Sequence, residues 1–447
     1  MFSAQAPLIT DATPYSTAFV QGVFHDALGR AADAAGVNLF VEQIDQGTAL
    51  DQVTKSVTHS GEYDNNFIQS AYQQYLGRAA DPGAASFWLQ ALQAGASEEQ
   101  VVAALLASDE FYERVGGDNM AWVTAVYQAV LDRQPEATAL EAATSELAAG
   151  ASRRNVAYAL TASLEHERQV VVAEYVHYLQ AIPNASDTNF WATQLATGQM
   201  NDQTLAADLM TTEGYYQAQT GVPESIVPMP IAGQAWTSRN AQIDSDAAQG
   251  AQLAFFGDSI TEYWNSAGQA VWNQNYAPLG ALNAGIVGDR TQNLLWRIEN
   301  GNLNGISPKV AVVMIGVDNI ILGDNAQQTA AGVAAVVEAL QQRLPNTKIL
   351  VLGLLPGNPP FAPPNFAQTI SVTNQLISTL ADNRNVFYLD MGLAFLNADG
   401  SPNGLLYQPG LLHPNAQGFA VWAQTMAPEL DAIWNVANAE WRSGINP

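Results

Sequence analysis

The 447-residue chain contains no cysteine. Disulfides, thiolate metal sites, iron–sulfur clusters and a cysteine nucleophile are thereby excluded. The redox compartment stays open, because secreted and cytosolic proteins alike can do without thiols. Basic residues are scarce, 16 against 42 acids for a net charge of −26, and Lys55, Lys309 and Lys348 are the only lysines. Nucleic acid and anionic membranes would repel such a chain, so neither is expected as a partner. No apolar run approaches the roughly 18 residues that mark a spanning helix, and the longest, Val310 to Val317, has the length of a strand. The first basic residue is Arg30, so no ordinary signal peptide is expected. Histidine is sparse too: of five, only His413 lies beyond residue 177.

What is present divides in two. Residues 1–228 hold 27 acids and 8 bases, whereas residues 229–447 hold 15 and 8. Between them Gly221-Val-Pro-Glu-Ser-Ile-Val-Pro-Met-Pro230 carries three prolines, which block helix. The expected organisation is an all-α helical repeat array over 15–220, a Pro-rich linker over 221–235 and a second domain over 236–440.

The first half repeats. Leu28-Gly-Arg-Ala-Ala-Asp33 recurs as Leu76-Gly-Arg-Ala-Ala-Asp81, and Ser60-Gly-Glu-Tyr63 recurs as Ser108-Asp-Glu-Phe111, both 48 residues later. Weaker copies contain Leu131-Asp-Arg133 with Ser163-Leu-Glu165, and Tyr178-Leu179 with Phe190-Trp191 and Thr212-Glu213. Helical spacing at Val101, Ala104, Leu105 and Phe111 predicts two or three short helices per copy, about four copies in all. Asp33 and Asp81 read most simply as N-caps or Asx turns; a calcium role is the alternative, against which no dense carboxylate loop of the EF-hand kind accompanies them. This half resembles a bacterial helical repeat domain of unknown function, found in tandem in large secreted, calcium-linked or surface-layer-associated proteins. The resemblance implies no chemistry. It implies a spacer or adhesion module with cell-surface contacts and an extracellular address, although with no export signal visible a cytoplasmic one stays open.

In the second half, apolar runs at Leu253–Phe256, Ala281–Ile286, Val310–Ile315, Ile349–Leu355 and Val386–Leu389 alternate with amphipathic stretches at Thr291–Glu299, Gln327–Leu344, Ala367–Ala381 and Ala416–Trp434. Alternation of this kind predicts a parallel five-stranded sheet in a three-layer α/β/α domain, with reactive groups at the carboxyl ends of the strands. The first strand runs into Phe256-Gly-Asp-Ser-Ile-Thr261, which sets Ser259 at that edge either as a nucleophile or as a plain N-cap. A serine nucleophile needs a base, and His413, in the loop before the last helix, is the one candidate in this half.

These residues resemble the SGNH (GDSL-type) hydrolase family, a flavodoxin-like fold, and within it the platelet-activating-factor acetylhydrolase-like branch. The matching blocks are Gly257-Asp258-Ser259-Ile260, Asn283-Ala-Gly285-Ile-Val-Gly288-Asp289, Asp289 through Gly301, Leu352-Gly-Leu-Leu-Pro356 and Leu412-His-Pro-Asn-Ala-Gln-Gly418. The resemblance implies that Ser259 attacks an ester carbonyl, with His413 as base. It puts an oxyanion hole at the amides of Ser259 and Gly285 and the side chain of residue 318. Two positions depart from the pattern. Block three reads Gly316-Val317-Asp318-Asn319, with Asp318 where the family has Asn, leaving Asn319 or a protonated Asp318 to serve. Block five reads Gly410-Leu411-Leu412-His413, so the acid of Asp-x-x-His is missing, and a main-chain carbonyl near Gly410 is the substitute. Asp399 sits in a turn signal, Asp399-Gly400. Arg290 is expected to pair with Asp289 or Glu262. Trp264, Trp272 and Trp296 are expected in the core, and the rigid Pro356–Pro364 loop is expected to wall the pocket.

The sequence thus points to a serine ester hydrolase that needs no metal and no cofactor and acts on a short-chain, acetyl-like ester of a carbohydrate or lipid. The rival reading is a catalytically degenerate hydrolase fold kept as a surface or interaction scaffold.

Overall fold

The computed structural model describes residues 8–443. Among them no helix is long and apolar enough to cross a membrane. The chain forms two compact units. One comprises Ala18–Phe40 and Leu50–Gln219; the other comprises the residues from 220 onward with Val41–Ala49 and those before 18.

The first unit is helical, and three of its repeats are each tied by one arginine. Arg30 grips Glu62, Arg78 grips Glu110 and Arg133 grips Glu165, each through two hydrogen bonds of 2.5–2.9 Å. Each guanidinium also lies 5.2–5.4 Å from the ring centroid of Phe24, Tyr72 or Tyr127. These ties are exposed, so their geometry fixes register more than it adds stability. Ser60, Ser108, Ser163 and Thr212 start the helices that follow, each hydroxyl accepting a backbone N–H three residues on. Asp33 and Asp81 accept the N–H groups of Gly36 and Ala84, as N-caps should.

The second unit carries a parallel sheet of β1 (Leu253–Gly257), β2 (Ala281–Gly285), β3 (Val310–Met314), β4 (Lys348–Leu352) and β5 (Val386–Leu389), in the order β2-β1-β3-β4-β5. β1, β3 and β4 are buried along their whole length, as parallel strands covered on both faces must be. Alternate side chains feed two cores. Phe255, Val312 and Leu350 join Trp264, Trp272, Phe419 and Trp422 on one face. Ala254, Phe256, Val313 and Val351 join Leu294, Val336 and Leu340 on the other. Trp264 and Trp272 are core as expected; Trp296 instead packs on Trp236 at 5.7 Å, against the opposite face.

The segment expected to be a linker is a strap on this unit. Ser225, Val227 and Met229 are buried. The Met229 N–H donates to Gln292 O, Asn293 Nδ2 to Met229 O, and Ser225 Oγ to Gln328 O. Its prolines exclude helix, and its apolar side chains and backbone groups find partners on the Thr291–Glu299 and Ala326–Arg343 helices. The strand order reverses direction at β1, so the carboxyl ends of β1 and β3 flank the crevice where such sheets bind ligands.

Candidate active site

β1 ends at Gly257, and the Ser259–Glu262 helix starts two residues later. Asp258 caps it, accepting the Ile260 N–H at 2.9 Å. This sharp reversal presents Ser259 at the sheet edge. Its Oγ lies 2.8 Å from His413 Nε2, bringing together the two residues singled out in the sequence. Burial lowers the His413 pKa, so the ring is neutral at pH 7 and able to take a proton. Tyr263, one turn after Ser259, stacks on the imidazole at 4.6 Å with a 31° tilt. Sequence reasoning passed over Tyr263; its four-residue spacing from Ser259 on a helical turn was the available signal.

The loop holding His413 is fixed from outside. The Gln408 N–H donates to His413 O at 2.8 Å. The Pro-rich loop after β4 reaches it through the Asn358 N–H to Leu411 O at 3.1 Å and through Pro356 O, which accepts the Tyr407 hydroxyl. No carboxylate among the described residues bonds to the imidazole, and Nδ1 has no acceptor there, so the expected carbonyl substitute near Gly410 is not seen. Gly410 has φ +101°, a conformation that L side chains rarely adopt. Asp399 accepts from Ser401 N–H and Oγ within its own turn.

The oxyanion-hole expectations need correction. The Gly285 N–H already donates to Asn283 Oδ1 at 3.0 Å. Gly285 is glycine for a different reason: a Cβ would stand 2.3 Å from Glu262 N, so its absence lets β2 close against the Ser259 helix. The free amide is at Gly288, exposed in the next turn and without an acceptor among the described residues. That turn is rigidly held. The Val287 N–H donates to Glu262 Oε2 at 2.7 Å. Asp289 takes Trp236 Nε1 at 2.7 Å and Arg297 Nε at 2.8 Å, with both ions fully buried. Arg290 pairs with Glu224 on the strap at 2.9 Å, not with Asp289 or Glu262, whose carboxylates are taken by Arg297 and the Val287 amide.

Asn319 is not available to substrate. Its amide nitrogen donates to Thr291 Oγ1, Gln292 Oε1 and Asp324 Oδ2, and its oxygen accepts the Thr291 N–H. It braces the β3 loop against the Thr291–Glu299 helix. Asp318 Oδ2 is sealed from solvent and unpartnered. Burial, reinforced by the charge on Asp289 and opposed by Arg290, pushes the Asp318 carboxyl up to about 6. Asp258 Oδ2 is likewise sealed and unpartnered, and burial together with the Asp318 charge holds its pKa well above the usual carboxylate range. Both carboxyls therefore keep a proton to higher pH than usual, Asp318 up to about pH 6. A cleft of about 440 Å³ beside β4 and β5, lined by Asn374, Tyr388 and Asp390, includes neither Ser259 nor His413.

A serine hydroxyl bonded to a neutral histidine at the carboxyl edge of a doubly wound sheet is the arrangement that a serine nucleophile requires. The model of the GDSL-like lipase/acylhydrolase family matches residues 255–421, and the model of a domain of unknown function, DUF4214, matches 54–115 and 103–170. The second unit thus carries a domain of the GDSL/SGNH hydrolase family, and the first contains tandem DUF4214 domains. Among curated relatives, the chain is 36% identical over 151 residues to human platelet-activating factor acetylhydrolase IB subunit alpha1, a match covering 34% of this chain and 63% of the relative. It is 38% identical over 150 residues to the rat alpha2 subunit, covering 33% and 63%. The matched segment therefore spans under two thirds of these relatives' length. Among solved structures, a GDSL-like lipase from Bacteroides thetaiotaomicron aligns with 18% identity and a TM-score of 0.38, covering 44% of this chain and 98% of that one. An acetyl-xylooligosaccharide esterase from Geobacillus aligns with 18% identity and a TM-score of 0.33, covering 40% and 93%.

Proposed function

We propose that the second unit hydrolyses short-chain, acetyl-like esters of a carbohydrate or lipid through a Ser259–His413 dyad. The 2.8 Å Oγ–Nε2 bond carries this reading. As Ser259 attacks the acyl carbon, its proton passes to His413 Nε2. The tetrahedral oxyanion is received by the N–H groups of Ser259 and Gly288 and by the hydroxyl of neutral Asp318. His413 then returns the proton to the leaving alcohol, and water releases the acyl group by the same steps in reverse. No carboxylate stabilises the imidazolium; the Tyr263 ring face supplies part of that role, so turnover is slow for the class. Exposed Val287, Leu322 and Phe361, on the loops after β2, β3 and β4, give the edge an apolar rim suited to an acyl or lipid substrate. An extracellular or cell-surface address, with the helical unit as contact module, belongs to the same proposal and is supported by the net charge of −26; cell fractionation tests it.

The test is hydrolysis of acetyl nitrophenyl ester by the wild type and by Ser259→Ala. Loss of turnover in the variant supports the proposal. Equal, background-level rates in both favour the second reading, a hydrolase fold retained as a scaffold, to which the missing acid at Gly410 points.

A further inference from the structure

The interior of the helical unit holds a concentration of acid that its own chain does not neutralise. Glu99 on the Glu98–Leu106 helix, Glu167 on the Leu164–Leu179 helix and Asp202 at the start of the Asp202–Leu209 helix each present a carboxylate oxygen, all within 4.8 Å of one another. Glu99 and Asp202 also line a cavity of about 390 Å³, together with Glu98 and Glu174. Glu167 is 1% exposed, its carboxylate reaches into this cluster, and its Oε2 has no hydrogen-bond partner. Glu174 Oε2 and Asp202 Oδ1 are also sealed from solvent and unpartnered.

No lysine or arginine lines the cavity among the described residues. His166 does, but its Nδ1 is bonded to Val130 O and burial lowers its pKa, so it brings no charge at neutral pH. His177 weakly favours the charged form of Glu174. Burial pushes Glu167 up to about 8 and Glu174 up to about 7. Buried carboxylates are otherwise kept by a counter-ion.

We propose that this carboxylate cluster, at the edge of the cavity, is a binding site for a hard divalent cation of the calcium class, with Glu99, Glu167 and Asp202 as ligands and Glu98 and Glu174 completing the negative shell. The donors are all oxygen, the set that Ca²⁺ and its hard congeners take and softer metals do not favour. Three oxygens within 4.8 Å of one another share a centre no more than about 2.8 Å from each, within small side-chain adjustment of the roughly 2.3–2.6 Å of Ca²⁺–O bonds. The three ligands come from helices far apart in sequence, so the ion cross-links three of the repeats.

Tyr63 and Tyr75 line the same cavity and provide the readout. The full-length protein, freed of metal by chelator, is titrated with Tb³⁺ and its tyrosine-sensitised emission followed. The expected result is emission saturating at one ion per chain, displaced by Ca²⁺, with the melting temperature at neutral pH raised by Ca²⁺ over chelator. Glu167→Gln and Glu99→Gln each remove one ligand charge at near-constant volume, and each should weaken the saturable binding at least tenfold while the protein remains folded. Should one variant not fold, the other decides. Emission that never saturates, or that is unchanged in both variants, would mean diffuse binding to the acidic surface and would overturn the proposal. So would the absence of any Ca²⁺ effect on melting.

Discussion

Buried Asp289 and buried Glu167 face the same problem and meet it differently. In the α/β unit, Asp289 is answered in kind: Arg297, Trp236 and a fully buried ion pair surround it. In the helical unit, arginine is spent on exposed ties such as Arg78–Glu110, while Glu167, Glu174 and Asp202 lie inside with unpaired oxygens. A buried charge costs several kcal/mol unless compensated. Where the chain supplies the compensation, the charge positions a loop, here the one presenting the Gly288 amide. Where it does not, the group takes a proton or awaits an ion. Asp318 stands between these cases, half answered by Arg290 and held near 6.

The largest expected effect falls on the reacting pair. His413→Ala should lower ester turnover by at least about 10³-fold with an unchanged melting curve, because oxyanion donors and binding remain without a base. A variant that keeps more than a tenth of the activity would remove His413 from the mechanism.

Next comes the compensated charge. Arg297→Met leaves Asp289 buried without its counter-charge, with only the Trp236 hydrogen bond remaining, which should cost about 3–5 kcal/mol in urea denaturation. Asp289→Asn and Arg297→Met together should cost less than Arg297→Met alone; strict additivity would contradict the pairing.

Asp318 sharpens the comparison through pH. With its pKa raised to about 6, Asp318 is a hydroxyl donor below that value and an acceptor-only anion above it. Since His413 must be neutral and burial depresses its pKa, kcat/KM should peak near pH 6 and fall as Asp318 ionises. Asp318→Asn keeps a donor at every pH, so the alkaline limb should flatten and turnover at pH 8 should rise by about 10–100-fold, within the range for one oxyanion donor. An identical profile in the variant would place Asp318 outside the hole.

The smallest effect belongs to the exposed ties. Arg78→Gln should leave the melting temperature almost unchanged, despite two hydrogen bonds and a ring contact, because the pair is solvent-exposed.

Much of this was legible in the sequence because it was local. The five strands fall within a few residues of their apolar runs, and Thr291–Glu299 is the helix its periodicity marks out. Ser259 and His413 were found because a strand-end serine and a lone histidine narrow the chemistry to one pair. What escaped depends on side-chain partners that spacing cannot show. Gly285 and Gly288 lie in one motif, and only the Asn283 side chain decides which amide is free. Asn319 looked available until Thr291, Gln292 and Asp324 were seen to occupy it. The Pro-rich strap read as a linker because its prolines exclude helix without revealing that Val227 and Met229 are buried. Glu99, Glu167 and Asp202 share no local pattern, since three separate helices bring them together.

The central claim is that His413 activates Ser259 without a third acid. It is tested most directly by intact-mass measurement after exposure to a fluorophosphonate, which phosphonylates activated serines. The account predicts one adduct per chain, mapping to Ser259, absent in Ser259→Ala and formed far more slowly in His413→Ala. An unmodified wild type, or an adduct that forms equally fast without His413, would contradict it.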